Sequence, residues 1–319
     1  MDELRKSKRL LVVLPTWIGD AVMATPALRR IREALPGWYV GGLCRPGVEQ
    51  VLAGLPLLDE LHVAPMSGVL GPKRVAAQLR PRRYAATVLL TNSFSTALAT
   101  RVAGIPLRLG YERDGRGMLL THRLHAPRRE GGGWSVVPAA AYYDHAARSM
   151  LDVLADRPLD PRAPIRALPP HARLELVATD SDLQRADAVL ARAGVPKRVP
   201  LAVLNPGGNN PAKRWPPERY AALADWLLEA HGLASVVNAS PAEGDIARGI
   251  GQAARSAPPC LADHGGSLAS LKGVLARASL MVTNDTGPRH MAAAFGVPVV
   301  SLFGPTDHRW TTIPAPAGE

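Results

Sequence analysis

Residues 282–306, VTNDTGPRHMAAAFGVPVVSLFGPT, read as strand, tight turn, helix, strand and a second Gly-Pro turn. Asn284-Asp285-Thr286-Gly287-Pro288 falls where the apolar run Leu280-Met281-Val282 ends and an Ala-rich helix begins. Hydroxyl and backbone N–H donors then stand at a helix N-terminus, and Gly287 permits close approach of the backbone. Unsatisfied N–H groups and the helix dipole both favour negative charge there, so the turn suits a diphosphate. Pro288 in the first turn is favourable, because the N–H it lacks would have had no partner.

The other end of the chain repeats the pattern. Leu10-Leu11-Val12-Val13-Leu14 is a buried-strand run, followed by Pro15-Thr16-Trp17-Ile18-Gly19-Asp20 and an amphipathic helix. Ala24, Leu28, Ile31 and Leu35 share one face of that helix, with Arg29, Arg30, Arg32 and Glu33 around the other. Asp20 is thereby placed at a strand-to-helix turn, at the carboxyl end of a parallel strand, where open α/β sheets bind ligands. A helix N-cap is the commoner duty for an Asp at such a place.

Strand and helix patterns alternate in both halves. The first half predicts strands at 10–14, 39–43, 60–63, 85–91 and 107–110, with helices at 47–53, 72–79 and 95–103. The second predicts strands at 201–204, 234–238, 280–283 and 298–303, with helices at 181–193, 217–231, 241–254, 267–276 and 288–295. Between them residues 156–164 and 168–170 are too dense in proline for an element interior. The reading is α/β: two Rossmann-like doubly wound parallel sheets, at 1–156 and 173–319, joined by a linker at 157–172, with a ligand cleft between them.

The chain has 319 residues, 47% of them hydrophobic, enough for two cores. No apolar run approaches the roughly 20 residues of a membrane-spanning helix. The start MDELRKSKR is basic, but the apolar run after it is too short for a signal peptide, which points to the cytoplasm. Cys44 and Cys260 stand far apart with no metal-ligand spacing and read as two buried thiols. The net charge of +11 fits an Arg-rich surface, an anionic substrate or an anionic membrane face. With 5% aromatics and no stacking platform, nucleic acid is the weakest reading.

Further groups carry chemistry. Asn205-Pro206-Gly207-Gly208 through Lys213-Arg214-Trp215 joins a Gly-rich turn to two cations, and reads either as a phosphate-facing loop in which Lys213 neutralises charge or as a solvent loop. Glu243, after strand 234–238, can accept from ribose hydroxyls, though a first-turn acid complementing the helix dipole fits as well. A lone His290 is more often structural. Arg82, Arg83, Arg101, Arg108, Arg113 and Arg116 could bind acceptor phosphates or carboxylates, although for any one of them a solvated face is commoner. GxGxxG, GK[ST], GxSxG and HExxH motifs are absent, against the commonest dehydrogenase, NTPase, hydrolase and zinc-protease readings.

Taken together, WIGDAVMATPAL, RYAATVLLTNSFSTALATRVAGIPLRLGY, NPGGNNPAKRWPPERYAALADWL and TNDTGPRHMAAAFGVPVVSLFGPTD resemble the bacterial lipopolysaccharide heptosyltransferases, glycosyltransferase family 9. The Trp before Ile-Gly-Asp and the Pro-Ala-Lys-Arg-Trp-Pro string are most similar to the second heptosyltransferase of the core pathway. The resemblance covers nearly the whole chain. It implies the GT-B architecture, ADP-heptose as donor, a lipid-anchored inner-core sugar as acceptor and inverting transfer without a metal or other cofactor. It implies Asp20 as general base, Lys213 on the diphosphate or sugar and Glu243 on the ribose. Asp285, Thr286, Gly287, Pro288 and His290 would surround the diphosphate and sugar with Asn205 and Gly207. Thr16, Trp17, Gly19, Arg83 and Arg113 would meet the acceptor. A monomer working at the cytoplasmic face of the inner membrane is expected. A related transferase with another acceptor, and a nucleotide-sugar-binding protein without turnover, are the rival readings. The resemblance also implies a cysteine-containing loop and a C-terminal helix past Glu319. The sequence is therefore expected to be cut short, since a chain ending there would have a weakened domain clamp.

Overall fold

The computed structural model describes residues 7–65, 68, 70–208 and 210–314. The basic start at 1–6, Asn209 of the Gly-rich loop, residues 315–319 and any segment past Glu319 lie outside the described residues. The chain divides into two compact units. One comprises Met1–Glu49, Leu55–Arg173 and Arg309–Glu319; the other comprises Gln50–Gly54 and Leu174–His308.

In the first unit β1 (Arg9–Val13) is followed by α1 (Ile18–Met23) and α2 (Thr25–Ala34), then β2 (Tyr39–Cys44), α3 (Val48–Leu52, which straddles the division), β3 (Glu60–Val63) and α4 (Gly71–Leu79). Next come β4 (Ala86–Leu89), α5 (Phe94–Val102), β5 (Leu107–Tyr111), β6 (His122–Leu124) and α6 (Ala139–Leu154). All six strands are parallel, in the order β3-β2-β1-β4-β5-β6. Leu10 pairs with Val40 on one side and Ala86 on the other. From Leu10 on strand β1 is apolar, because both its faces are covered there. Leu11 and Val13 pack with Val75, Leu79 and Ala97 of α4 and α5. Leu10 and Val12 point to the opposite face.

In the second unit α7 (Asp180–Arg192) precedes β7 (Leu201–Asn205), α8 (Pro217–His231), β8 (Ala234–Val237) and α9 (Gly244–Ala253). Then follow α10 (Leu268–Leu275), β9 (Leu280–Asn284), α11 (Gly287–Ala294) and β10 (Val299–Leu302). The four strands are parallel in the order β10-β9-β7-β8. Ala202 and Leu204 pack with Tyr220, Ala224 and Leu227 of α8 and with Ala247 and Ile250 of α9.

The doubly wound reading holds, with three local corrections. The helix after Asp20 is two helices, because Pro26 opens α2 and lacks the N–H that would continue α1. The segment expected as a helix over 241–254 starts as a 3-10 turn, Pro241–Glu243, before α9. Helix α6 and the edge strand β6 were not anticipated. The apolar stripe of α6 is interrupted by Asp144, which is buried between two arginines. Arg30 Nε donates to its Oδ1 at 2.5 Å, and Arg148 Nε stands 2.6 Å from Oδ2 as an ion pair without hydrogen-bond alignment. Cys44 and Cys260 are both buried free thiols. Among the described residues no helix is long and apolar enough to cross a membrane.

The second unit also holds a buried ion pair. Lys272 Nζ lies 2.8 Å from Asp182 Oδ2 and donates to the carbonyls of Gln50 and Ala53 at 3.1 and 2.9 Å. Asp182 in turn closes the capping box with Thr179 at the start of α7. Removing one partner strands the other charge away from water, so Asp182→Ala is expected to cost about 3–5 kcal/mol of stability. Urea denaturation would show it as a lowered midpoint with the slope unchanged.

Candidate active-site residues

A sheet wound in both directions opens a crevice at the carboxyl edge, where neighbouring strands send their crossovers to opposite sides. In the first unit that point lies between β1 and β4, and Asp20 follows β1 there. Trp17, not Asp20, occupies the N-cap of α1; Asp20 sits in its first turn, half-buried. The cap duty is therefore not what places this carboxylate. Tyr143 of α6 donates its hydroxyl to Asp20 Oδ1 at 3.0 Å. Burial, and then the Asp20 carboxylate itself, push the Tyr143 hydroxyl well above its ordinary pKa, so it stays a donor. Tyr142 stacks on Tyr111 with ring centres 3.8 Å apart and donates to Asn92 Oδ1 at 3.3 Å.

Arg116 anchors the same edge. It is fully buried and donates to the carbonyl of Tyr111 at 2.8 Å, to the carbonyl of Thr91 and to Asn92 Oδ1 at 3.2 Å. Burial pulls its pKa down to about 10, which still leaves it charged at neutral pH. Thr16, Trp17 and Gly19 belong to the turn that carries Asp20, and the Trp17 side chain is 66% exposed. Arg113 follows β5 on this edge. Arg83 does not share it: it precedes β4 in a left-handed conformation, at the amino edge of the sheet, so the structure separates it from Asp20.

In the second unit the switch point lies between β7 and β9. The loops after those strands are tied together by two buried asparagines. Asn205 Nδ2 donates to Thr283 Oγ1 at 3.1 Å and to Thr286 Oγ1 at 2.9 Å. Asn284 Nδ2 donates to the carbonyls of Pro206 and Gly207 at 2.6 and 3.1 Å, and its Oδ1 accepts from the Trp215 N–H and the Tyr220 hydroxyl. Thr286 is the N-cap of α11, yet its side chain makes no cap bond, because Asn205 engages it instead. Pro288 has no N–H and the Arg289 N–H donates to the Thr286 carbonyl at 3.3 Å, so the Gly287 N–H is the helix-start donor that faces an incoming anion.

Lys213 ends the 3-10 turn Pro211–Lys213, and its Nζ donates to Asp285 Oδ2 at 3.2 Å. The turn is wedged against the loop after β10: a Cβ on Gly304 would lie 2.6 Å from the Ala212 carbonyl. Lys213 and Asp285 are therefore presented together beside the start of α11. Glu243 closes a capping box with Ser240 and accepts from the Gly208 N–H at 2.8 Å. Burial acts to raise its pKa, but the hydrogen bonds from Ser240 and Gly208, with Arg214 nearby, hold it below the ordinary value. A Cβ at Gly207 would meet Glu243 Oε1 at 2.3 Å, so a side chain there would displace the Glu243 carboxylate.

Two buried groups on α11 complete the arrangement. Arg289 donates to Ser301 Oγ at 2.7 Å and lies over the Phe303 ring. His290 is buried, and its Nδ1 has no hydrogen-bond partner. Asn238 and Arg289 were missed in the sequence, and Asn284 was read only as the start of its turn, not as the tie between the two loops. The only local signal for Asn284 and Asn238 is a polar residue ending an otherwise apolar strand. Among the described residues no three His, Cys, Asp or Glu side chains converge as a metal site would need.

Two parallel α/β units, each with polar residues at the switch point of its sheet, define a doubly wound α/β protein with ligand-type crevices. The comparisons with known proteins narrow this. The profile of glycosyltransferase family 9 (heptosyltransferase) matches residues 73–317. Lipopolysaccharide heptosyltransferase 2 of Salmonella typhimurium is 27% identical over 95% of this chain and 84% of its own. Lipopolysaccharide heptosyltransferase 1 of Pseudomonas aeruginosa is 28% identical over 95% of this chain and 80% of its own. The solved structure of E. coli ADP-heptose LPS heptosyltransferase II superposes with a TM-score of 0.77 at 24% identity, covering 96% of this chain and 88% of that one. The chain belongs to glycosyltransferase family 9 and is a glycosyltransferase of the heptosyltransferase family.

Burial, and then Arg289, lower the pKa of His290 from 6.5 to about 3, so the folded protein keeps the ring neutral at pH 7. Between those values the unfolded chain binds a proton that the folded one does not. Stability is then lost as pH falls from about 6.5 towards 3. His290→Phe is expected to flatten that part of the stability–pH curve measured by denaturation.

Proposed function

We propose that this enzyme transfers heptose from ADP-heptose to the inner core of lipopolysaccharide as a heptosyltransferase of the second type, with inversion at the transferred carbon. The observation that carries the reading is the placing of Asp20 and the Lys213–Asp285–α11 cluster at the switch points of their sheets. Membership of the family and the activities its relatives are named for support the donor. The strings around Trp17 and Lys213 favour the second type over the first.

In the proposed reaction Asp20 takes the proton of the acceptor hydroxyl as that oxygen bonds to the anomeric carbon. The bond from that carbon to the diphosphate oxygen breaks, and ADP leaves with the electron pair. A carboxylate is a weak base, so proton removal comes late, once the attacked oxygen has become acidic. The Tyr143 hydroxyl holds Asp20 in one orientation. Negative charge growing on the diphosphate is met by the Gly287 N–H at the start of α11 and by Lys213, with no metal required. Lys213 reaches the diphosphate from its pairing with Asp285, whose carboxylate presets the ammonium. Neutral His290 offers a ring nitrogen to the sugar or phosphate, and Glu243 retains lone pairs for the ribose. The enzyme acts as a monomer at the cytoplasmic face of the inner membrane, where a lipid-linked acceptor is presented.

Transfer from ADP-heptose to a panel of truncated lipopolysaccharide cores tests the reading. Product on an acceptor that already carries the first heptose supports the second type. Product only on the heptose-free core would move the assignment to the first type, and no product on any core would sink it. Asp20→Asn is expected to lower kcat by at least about a hundredfold with donor affinity nearly intact. Unchanged turnover would remove Asp20 from the mechanism. Lys213→Ala is expected to weaken use of the donor by about tenfold or more in kcat/KM, the scale of one lost charge-assisted contact. Equal donor kinetics would exclude that role.

A further inference from the structure

A charged cavity of the first unit lies at the opposite edge of its sheet from Asp20. It has a volume of about 680 Å3 and opens where Lys8 leads into β1, Trp38 leads into β2 and the last turn of α6 ends. Asp20 follows the carboxyl end of β1, so the five residues of that strand, roughly 16 Å at the usual rise, separate it from Lys8. None of the side chains lining this cavity takes part in the reaction just described.

Its cations are anchored from behind. Asp144 of α6, 1% exposed, holds two guanidinium groups, each by its Nε: Arg30 from α2 at 2.5 Å and Arg148, one turn along α6, at 2.6 Å. The two arginine side chains are 30% and 29% exposed and line the cavity. Among the described residues no hydrogen bond takes up the Nη groups of either, so those donors are open to solvent. Lys8 is exposed at the rim, its carbonyl accepting from the Tyr39 N–H at 2.9 Å, and no carboxylate among the described residues pairs with its ammonium. Arg157 is matched by Asp152 at 2.9 Å. Four cations therefore stand against the two carboxylates Asp144 and Asp152.

Helix ends could use such cations, since α2 and α6 both finish near the cavity and their last carbonyls attract positive charge. The hydrogen bonds argue otherwise. Arg32 of α2 does meet carbonyls, those of Leu57 and Trp38, at 3.2 and 3.3 Å. The side chains of Lys8, Arg30 and Arg148 meet none among the described residues. The rest of the wall is apolar, formed by Leu35 and Trp38 after α2 and by Leu151 and Leu154 at the end of α6. A ligand that fits has an anionic head for the cations and an apolar or flat body for the wall.

We propose that Arg30, Arg148 and Lys8, over the Asp144 anchor, form a binding site for a small phosphomonoester that carries an apolar or aromatic body. Each guanidinium keeps its Nη groups for phosphate oxygens, and Asp144 fixes both forks while neutralising only one charge. A phosphomonoester is close to a dianion at neutral pH and balances the excess of two cations, whereas a carboxylate would leave one over. Leu35, Trp38 and Leu151 cover the body, in a space of small-molecule size. The site stands apart from the proposed donor and acceptor, and does not depend on that reading. Asp144 follows Tyr143, which donates to Asp20, so both sites rest on one turn of α6.

Calorimetric titration with phenyl phosphate, inorganic phosphate and phenol tests the site on the full chain and on Lys8→Gln, Arg148→Lys and Lys213→Ala. Lys8 is exposed, and Arg148→Lys keeps a cation beside Asp144, so both variants are expected to fold with urea midpoints near the wild type. Should Arg148→Lys lower the midpoint, Lys8→Gln alone decides. Phenyl phosphate is expected to bind about tenfold or more tightly than inorganic phosphate, and phenol not at all, since the wall needs the body and the cations need the head. Lys8→Gln and Arg148→Lys are each expected to weaken phenyl phosphate about tenfold, and Lys213→Ala to leave it unchanged. No binding by the wild type, equal affinity in all four proteins, or a loss confined to Lys213→Ala would overturn the site. Sedimentation with phosphatidylglycerol vesicles separates a lipid headgroup from a free ligand. Equal sedimentation of wild type and Lys8→Gln is expected; vesicle binding lost in Lys8→Gln, with no binding of phenyl phosphate, would reject the small-molecule site in favour of a lipid surface.

Discussion

A parallel strand cannot be reached by a hairpin; the chain must cross back over the sheet, usually as a helix. That constraint governs both units here. Crossovers bury the strands on both faces, which is why β1, β7 and β9 are nearly continuous apolar runs. It also sends every strand's carboxyl end to one edge. Where β1 meets β4 and where β7 meets β9, the crossovers part in opposite directions and leave a crevice. Asp20 and Asp285 stand at those two places because the strands before them end there. The polar residues of this enzyme gather by topology, although they come from distant stretches of sequence.

At each crevice a buried polar network turns a rough position into a defined one. In the second unit Asn205, Asn284 and Asn238 cross-link three strand ends, with Asn238 Nδ2 donating to Asn205 Oδ1 at 2.6 Å. Buried amides of this kind are costly unless satisfied, so the loops are held in the arrangement that satisfies them. One consequence is functional: with Thr286 engaged by Asn205, the start of α11 has no side-chain cap and is open to an anion. In the first unit Arg116 binds carbonyls at the ends of β4 and β5, and Tyr143 reaches from α6 to Asp20.

Much of this was legible beforehand. Strand cores, the helices of the second half and the strand-turn-helix placement of Asp20, Lys213 and Asp285 follow from apolar runs interrupted by Gly, Pro and Asp, which are local signals. Helix α6 was not legible, because Asp144 breaks its apolar stripe and its burial depends on the distant Arg30 as well as on Arg148 one turn along the same helix. The separation of Arg83 from Asp20 was equally hidden: sequence proximity to β4 does not say which edge of the sheet a residue joins. Asn284 reads as one more polar residue until its partners at 206, 207, 215 and 220 are in place.

The sequence by itself determined the class of fold and the positions of the chemical turns, since hydrophobic period and turn residues act within a few residues of chain. Tertiary structure alone decided which of those turns meet. It put Lys213 on Asp285, Tyr143 on Asp20, and Arg113 and Arg128 on Trp134. Each of these pairings joins groups brought together by strand order and crossover, and no short-range rule in the chain encodes that order.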